Sequence, residues 1–235
     1  MTQTTSNSTP KIVALVPMRH HSERVPGKNY RFFAGKPLYH YIVNSLLSSP
    51  FVAKILIDTD STIIREDVDK HFPQVATINR PAHLTAGTTP MNNVLLHDVQ
   101  QIDADYYIQT HSTNPLLRTN TISRAIQTFL DNSNTHDSLF SVTRMMVRLW
   151  DQKGRPINHD PSILLRTQDL PPVYEENSCI YIFSRDSLEQ RKNRIGAKPF
   201  IFEIETLEAW DIDEEPDFYI AEFLYKKYFS VKGEQ

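Results

Sequence analysis

Two segments of opposite charge carry the residues best suited to chemistry. The first is 16–29, VPMRHHSERVPGKN, which strings Arg19, Ser22, Arg24 and Lys28 along a turn-rich loop. Guanidinium and ammonium groups together with loop amides can hold a triphosphate. Gly27 lets the backbone approach such a ligand closely. From Lys11 to Lys36 the bases Lys11, Arg19, Arg24, Lys28, Arg31 and Lys36 stand against a single acid, Glu23. The second segment holds Glu203, Glu205, Glu208, Asp211, Asp213, Glu214, Glu215 and Asp217 with no base among them. A basic loop and an acidic segment suit a phosphate chain plus a divalent cation. The alternative is solvated surface whose charges pair weakly.

Other chemistries lack their patterns. The loop is neither a GxxxxGK[ST] phosphate loop nor a GxGxxG dinucleotide turn, since only Gly27 and Gly35 lie there. The chain has 9 histidines, His20 and His21 adjacent, but no HExxH-like spacing, so a histidine metal site is not expected. One of His20 and His21 is a candidate neighbour of the phosphates. The single cysteine, Cys179, rules out an intramolecular disulfide and a cysteine zinc site, and is expected to be buried and inert.

The elements that would position these residues follow from apolar patterning. The runs 12–17 and 53–58 read as strands buried on both faces, and 75–78 and 105–110 as further strands. Helical spacing covers 37–48, 62–72, 91–102 and 119–132, with Thr119 or Asn120 as the expected N-cap of the last. This alternation predicts an α/β domain with a mostly parallel sheet. It places the basic loop at the carboxyl end of the first strand, where open α/β sheets bind ligands. The rhythm breaks near 137. A strand at 138–147, a turn at 151–155 and an irregular stretch at 163–174 suggest an inserted arm, 138–174. Strands at 178–183 and 200–206 and a helix at 216–228 close a single domain, 11–235. Tyr106, Tyr107, Phe129, Tyr181 and Phe183 read as core.

The 235 residues are 40% hydrophobic and 23% charged, an ordinary globular composition. A net charge of -3 argues against general nucleic-acid binding. No apolar run reaches the roughly 20 residues that span a bilayer. The polar start, 1–10, reads as a disordered leader rather than a signal peptide, and a cytoplasmic location is the default.

Several motifs occur in order along almost the whole chain. They are PMRHHSERVPGKN (17–29) with FAGKPL (33–38), DTD (58–60), NRPAHL (79–84), QTHSTNPLL (109–117), ENSCIYI (176–182) and WDIDEEPD (210–217). The set resembles the acylneuraminate cytidylyltransferases, the CMP-sialic acid synthetases. SERVPGK (22–28) is also close to the first loop of the related 3-deoxy-octulosonate cytidylyltransferases. The resemblance implies a Rossmann-like nucleotide-diphospho-sugar transferase fold, with a mixed sheet flanked by helices and a dimerisation arm. It also implies transfer of CMP from CTP to the anomeric hydroxyl of a 2-keto sugar acid, with release of pyrophosphate.

On that reading Arg19 and Lys28 are catalytic, and Arg19, Ser22, Arg24, Lys28 and His111 bind the nucleotide. Asp211 and Asp213, two apart and so on one face of an extended stretch, are catalytic and hold Mg²⁺. Their alternative is a helix N-terminal charge cluster. Asn177, Arg166 and Ser112 bind the sugar. For Asn177 the alternative is a turn residue entering a strand, and for Arg166 an exposed arm residue. CTP and a small sugar acid are the expected substrates, and a homodimer the expected assembly, with no nucleic acid or membrane.

The chain departs from the pattern in places. Glu23 stands where a Lys is usual and puts an anion beside phosphates. His111 stands where a Gln is typical, Gly87 replaces a common Asp, and Glu175 takes the place of an Arg that could pair with a sugar carboxylate. The acid is therefore not fixed as N-acetylneuraminate. A nucleotide-binding homologue without transferase activity, or a nucleotidyltransferase for a different sugar, remains the alternative.

Overall fold

The computed structural model describes residues 10–229, so the expected leader, apart from Pro10, lies outside the described residues. In chain order come β1 (Ile12–Leu15), a hairpin of β2 (Phe32–Phe33) and β3 (Lys36–Pro37), α1 (Tyr39–Leu47), β4 (Val52–Thr59), α2 (Thr62–His71), β5 (Ala76–Asn79), α3 (Met91–Asp98) and β6 (Tyr106–Gln109). There follow α4 (Thr119–Asn132), β7 (Ser138–Met145), β8 (Val173–Phe183), α5 (Arg185–Arg191), β9 (Pro199–Glu203) and α6 (Glu215–Tyr228).

The main sheet has 7 strands in the order β5-β4-β1-β6-β8-β7-β9. Pairs β5–β4, β4–β1, β1–β6 and β7–β9 are parallel, while β8 runs against both β6 and β7. All of β1 is buried, as its unbroken apolar run requires of a central strand covered on both faces. Ile12 and Ala14 pack into one core with α1, α2 and α4 residues such as Ile42, Ile64 and Ile126. Val13 and Leu15 pack into the other with Leu95 of α3 and Leu188 of α5. A third, smaller core joins the basic loop to the acidic segment: Val25, Phe33 and Leu38 meet Ile212 and Phe218.

The expected α/β architecture is present, with some differences in detail. Helix α5 was not expected, because its seven residues bury only Leu188 and carry almost no periodic signal. Strand β8 starts at Val173 rather than 178, since its first half pairs with the end of β7. The N-cap of α4 is Arg118, not Thr119 or Asn120. Its orphan groups are met from elsewhere: buried Glu208 accepts from the Arg118 N–H at 2.9 Å and from the Thr121 hydroxyl at 3.0 Å. The expected turn at 151–155 is closed by Asp151 and Arg155. Among the described residues no helix is long and apolar enough to cross a membrane.

Candidate active site

The basic loop leaves β1 at the carboxyl edge of the sheet and is tied down at several points. Met18 N–H donates to the Asp58 carbonyl at 2.8 Å. The His20 N–H donates to Asp60 at 2.6 Å, and the His20 ring bonds Ser61 and stacks on Tyr30, so His20 faces away from the cleft. Gly27 adopts φ 65°, and a Cβ there would lie 3.0 Å from the Tyr30 ring, so both conformation and space call for glycine. Asn29 is the loop's inner strut. Its amide donates to the Arg19 carbonyl at 2.7 Å and accepts from Ser112 at 2.6 Å.

The acidic segment reaches the same place from the far end of the chain. The Ile212 N–H donates to the Thr113 carbonyl at 3.0 Å, and Lys28 Nζ donates to the Ile212 carbonyl. Ile212 is fully buried between Asp211 and Asp213, and both aspartates line the cavities described below. The acids divide by task. Glu214 and Asp217 form a capping box on α6, and Glu215 pairs with Arg31 at 2.7 Å. Thus the helix-cap alternative describes Glu214, Glu215 and Asp217, while Asp211 and Asp213 line the cavities.

Two cavities meet at this point. The first, of about 530 Å³, is lined by Arg19, Ser22, Arg24, Lys28, His111 and Ser112 among others. The second, of about 500 Å³, is lined by Asn177, Glu175, Glu176 and Trp210 among others. Ser178, Asp211 and Asp213 belong to both. Arg166 belongs to neither: it is exposed in the segment between β7 and β8 and pairs with Asp169 at 2.6 Å.

Charge in the first cavity is only partly paired. Burial lowers the pKa of Lys28, with Asp211 and Asp213 opposing. Burial pushes the Asp211 carboxyl up, against a bond from Thr113, and Asp211 Oδ1 is buried without a partner. Burial, Arg194 and Lys28 push His111 down to about 3, so it is a neutral ring. Arg24 pairs with Asp213 at 2.8 Å across the cavity mouth, with both side chains more than half exposed.

The departures at positions 23 and 87 are neighbours. A Cβ on Gly87 would lie 2.8 Å from Glu23 Oε1 and 3.2 Å from Arg19 Nη1, so the absent side chain leaves room for the glutamate.

In the second cavity the polar groups are bonded to one another. The Asn177 amide accepts from Ser141 at 2.6 Å and donates to Thr143 at 3.0 Å. It holds a register shift between β7 and β8, next to Ser178 at φ 58°. The Tyr181 hydroxyl donates to Glu176. Cys179 is fully buried, its thiol pKa raised well above the ordinary value by burial.

The sequence reading missed Arg80, Gln109 and Arg194. Arg80 lines the first cavity and bonds Asp58 at 3.0 Å from behind. Gln109 ends β6 and bonds both His111 and Arg194.

Known proteins share this fold. A chain titled CMP:2-keto-3-deoxy-manno-octonic acid synthetase complexed with CTP superposes with a TM-score of 0.69 at 17% identity, over 92% of this chain and 99% of that one. A 4-diphosphocytidyl-2C-methyl-D-erythritol synthase from Anaerococcus prevotii superposes at 0.68 with 10% identity, over 93% and 97%. At these identities the likeness is one of fold. Among curated sequences, the post-translational flagellin modification protein B of Campylobacter coli is 29% identical over 92% of this chain and 96% of its own length. The CMP-N,N'-diacetyllegionaminic acid synthase of Legionella pneumophila is 28% identical over 91% and 96%. The pseudaminic acid cytidylyltransferase of Campylobacter jejuni is 25% identical over 92% and 97%. The cytidylyltransferase family profile matches residues 13–230. By this match the chain is a nucleotidyltransferase and belongs to the cytidylyltransferase family.

Proposed function

We propose that this protein transfers CMP from CTP to the anomeric hydroxyl of a 2-keto-3-deoxy sugar acid of the nonulosonate class and releases pyrophosphate. The observation that carries the proposal is the pair of cavities joined at Ser178, Asp211 and Asp213. Each substrate has its own compartment, and the reacting atoms meet at the seam. The names of the Legionella and Campylobacter relatives favour a nonulosonate over an octulosonate.

In the reaction the anomeric oxygen bonds to the α-phosphorus, its proton is lost, and the bond from that phosphorus to the β-phosphate oxygen breaks. Arg19 and Lys28 face the phosphates and neutralise charge that builds on the departing pyrophosphate. Arg24 exchanges Asp213 and Glu214 for phosphate oxygens, a small loss for an exposed pair. His111, kept neutral, and Ser112 complete the wall of the nucleotide side. Asp211 and Asp213 fit Mg²⁺: they offer hard oxygen donors, one of them buried and unpartnered. When bound there, the ion offsets charge at the α-phosphate. Asn177 shapes the sugar compartment through the backbone it holds.

The arm supports a homodimer. Ile163, Leu164 and Leu165 are exposed, Leu164 at 91%, and a second copy would cover them. A monomer at high concentration in sedimentation would refute this. Glu23, an anion beside the phosphate loop, is the feature that favours a nucleotide-binding protein without transferase activity. Pyrophosphate release from CTP and Mg²⁺ decides between the two. The panel is N-acetylneuraminate, its deaminated analogue, 3-deoxy-octulosonate and the diamino nonulosonates. Release with a nonulosonate, and not with other nucleotides, is the expected result. CTP binding without release across the panel would favour the second reading.

A further inference from the structure

The second cavity poses a problem for an acidic sugar. Its charged lining residues are Glu175, Glu176, Asp211, Asp213 and Asp217, and among the described residues no Lys, Arg or His lines it. Apart from a metal ion on Asp211 and Asp213, a substrate carboxylate placed deep within it would face like charge. Among the described residues, a side-chain cation for that carboxylate stands at its border.

Arg194 stands there. It lines the first cavity, as does Ser178, one of the three residues that also line the second, and the Tyr181 hydroxyl beneath it bonds Ser178 at 3.2 Å. Its guanidinium lies 3.5 Å over the Tyr181 ring, and Nη1 donates to Gln109 Oε1 at 2.7 Å. The partners are thus an aromatic face and a neutral amide. Glu176, the one acid that acts on it, is already bonded by the Tyr181 hydroxyl. Among the described residues Arg194 makes no ion pair. Burial works against its charge, yet a guanidinium stays protonated, so the site holds a partly desolvated cation awaiting an anion.

The position is built rather than incidental. The Arg194 N–H donates to Asn92 at 3.1 Å, and the Gly196 N–H donates to Ser138 at 2.8 Å. A Cβ on Gly196 would lie 2.1 Å from Asp137 Oδ1, so the turn after Arg194 is pressed against the start of β7.

The loop cations Arg19, Arg24 and Lys28 already serve the triphosphate. The planar fork of an arginine matches a carboxylate in a bidentate pair. We infer that Arg194 binds the carboxylate of the sugar-acid substrate and so sets which face of the sugar meets the α-phosphate. This rests on the transferase reading above.

The test uses the full-length protein with Arg194→Lys and Arg194→Met, the acid that the wild type turns over, and the C1 amide of that acid. KM for the acid is expected to rise about tenfold or more in Arg194→Met, the usual scale for a lost charge-assisted bond. Arg194→Lys, which keeps charge but not the fork, should fall between. Preference for the acid over the amide should collapse in Arg194→Met. CTP affinity by calorimetry should stay within about twofold, which also reports an intact fold. A parallel loss of CTP affinity would overturn the inference and assign Arg194 to the phosphates. An unchanged preference for acid over amide would overturn it too, and would place the carboxylate on another group, such as a base from a second copy. A wild type that binds CTP and releases no pyrophosphate with any acid fails the transferase reading itself, before any variant is compared.

Discussion

The two compartments of the site are built on opposite plans. In the first, and at its seam with the second, several charged groups lack a close opposite charge: Lys28 is half-buried on a carbonyl, Asp211 Oδ1 has no partner, and among the described residues Arg194 makes no ion pair, while Arg24 is paired at the mouth. In the second, Asn177, Ser141, Thr143, Tyr181 and Glu176 satisfy one another. The first compartment is a field waiting for ligand charge. The second is a finished network whose shape is set by a backbone irregularity. Binding of a triphosphate needs strength, which unpaired charge supplies. Selection among similar sugars needs fixed geometry, which a closed hydrogen-bond network supplies.

Three substitutions test that contrast. Asp211 belongs to both compartments, so Asp211→Ala should have the largest effect. Turnover should fall by on the order of 10³-fold, as when a group that stabilises the transition state is removed, with the folded state retained. Undiminished turnover in a folded variant would refute the metal role. Asn177→Ala should touch only the second compartment. Loss of its bonds to Ser141 and Thr143 should destabilise the fold by about 1–3 kcal/mol and raise KM for the sugar acid, with CTP affinity unchanged by calorimetry. Equal weakening of CTP would show that the compartments are not independent.

The smallest effect concerns the core behind the first compartment. Asp58 and Asp98 are both 1% exposed, and each has an Oδ1 without a partner. Burial, followed by the charge and hydrogen bond of Asp58, raises the Asp98 carboxyl well above its ordinary range, with Arg80 opposing. A proton kept on Asp98 supplies the donor for its hydrogen bond to Asp58. The folded chain keeps that proton where an unfolded carboxyl, with a pKa of about 3.9, has lost it. Its stabilisation is therefore full below about pH 4 and declines as pH rises toward the folded pKa. Asp98→Asn donates the same bond without a proton. Its Tm relative to wild type should be little changed near pH 5 and progressively higher toward pH 8.5. A constant difference across that range would show that Asp98 keeps no proton.

This division also governs what the sequence disclosed. Arg19, Lys28, Asp211 and Asp213 were readable because charge that must stay unpaired gathers in segments of one sign. The buried strand β1 was readable because no polar residue interrupts it, and β4 by its apolar stretch Ile55–Ile57. Arg194 was hidden in QRKNRIG, where it looks like surface charge beside Arg191 and Lys192. Only the Ile195-Gly196 pair after it hinted at close packing. Asn177 was named for the sugar, but the register shift that occupies its amide depends on Ser141 and Thr143, more than 30 residues away in sequence. The cap of α4 by Glu208 was invisible for the same reason, lying 87 to 90 positions from its partners.

The bond from Lys28 to the Ile212 carbonyl spans 184 positions. Bringing such distant points together carries a loop-closure entropy that nearby contacts avoid, and contacts of this range slow folding. The parallel strands from β1 to β6 can pair before the aspartates arrive, whereas the joint of the two compartments cannot exist until they do. In refolding, therefore, far-UV circular dichroism should recover ahead of the capacity to bind CTP with Mg²⁺. A chain emerging from the ribosome would likewise carry its basic loop bare for most of its synthesis, with competence for the reaction arriving late and in one step.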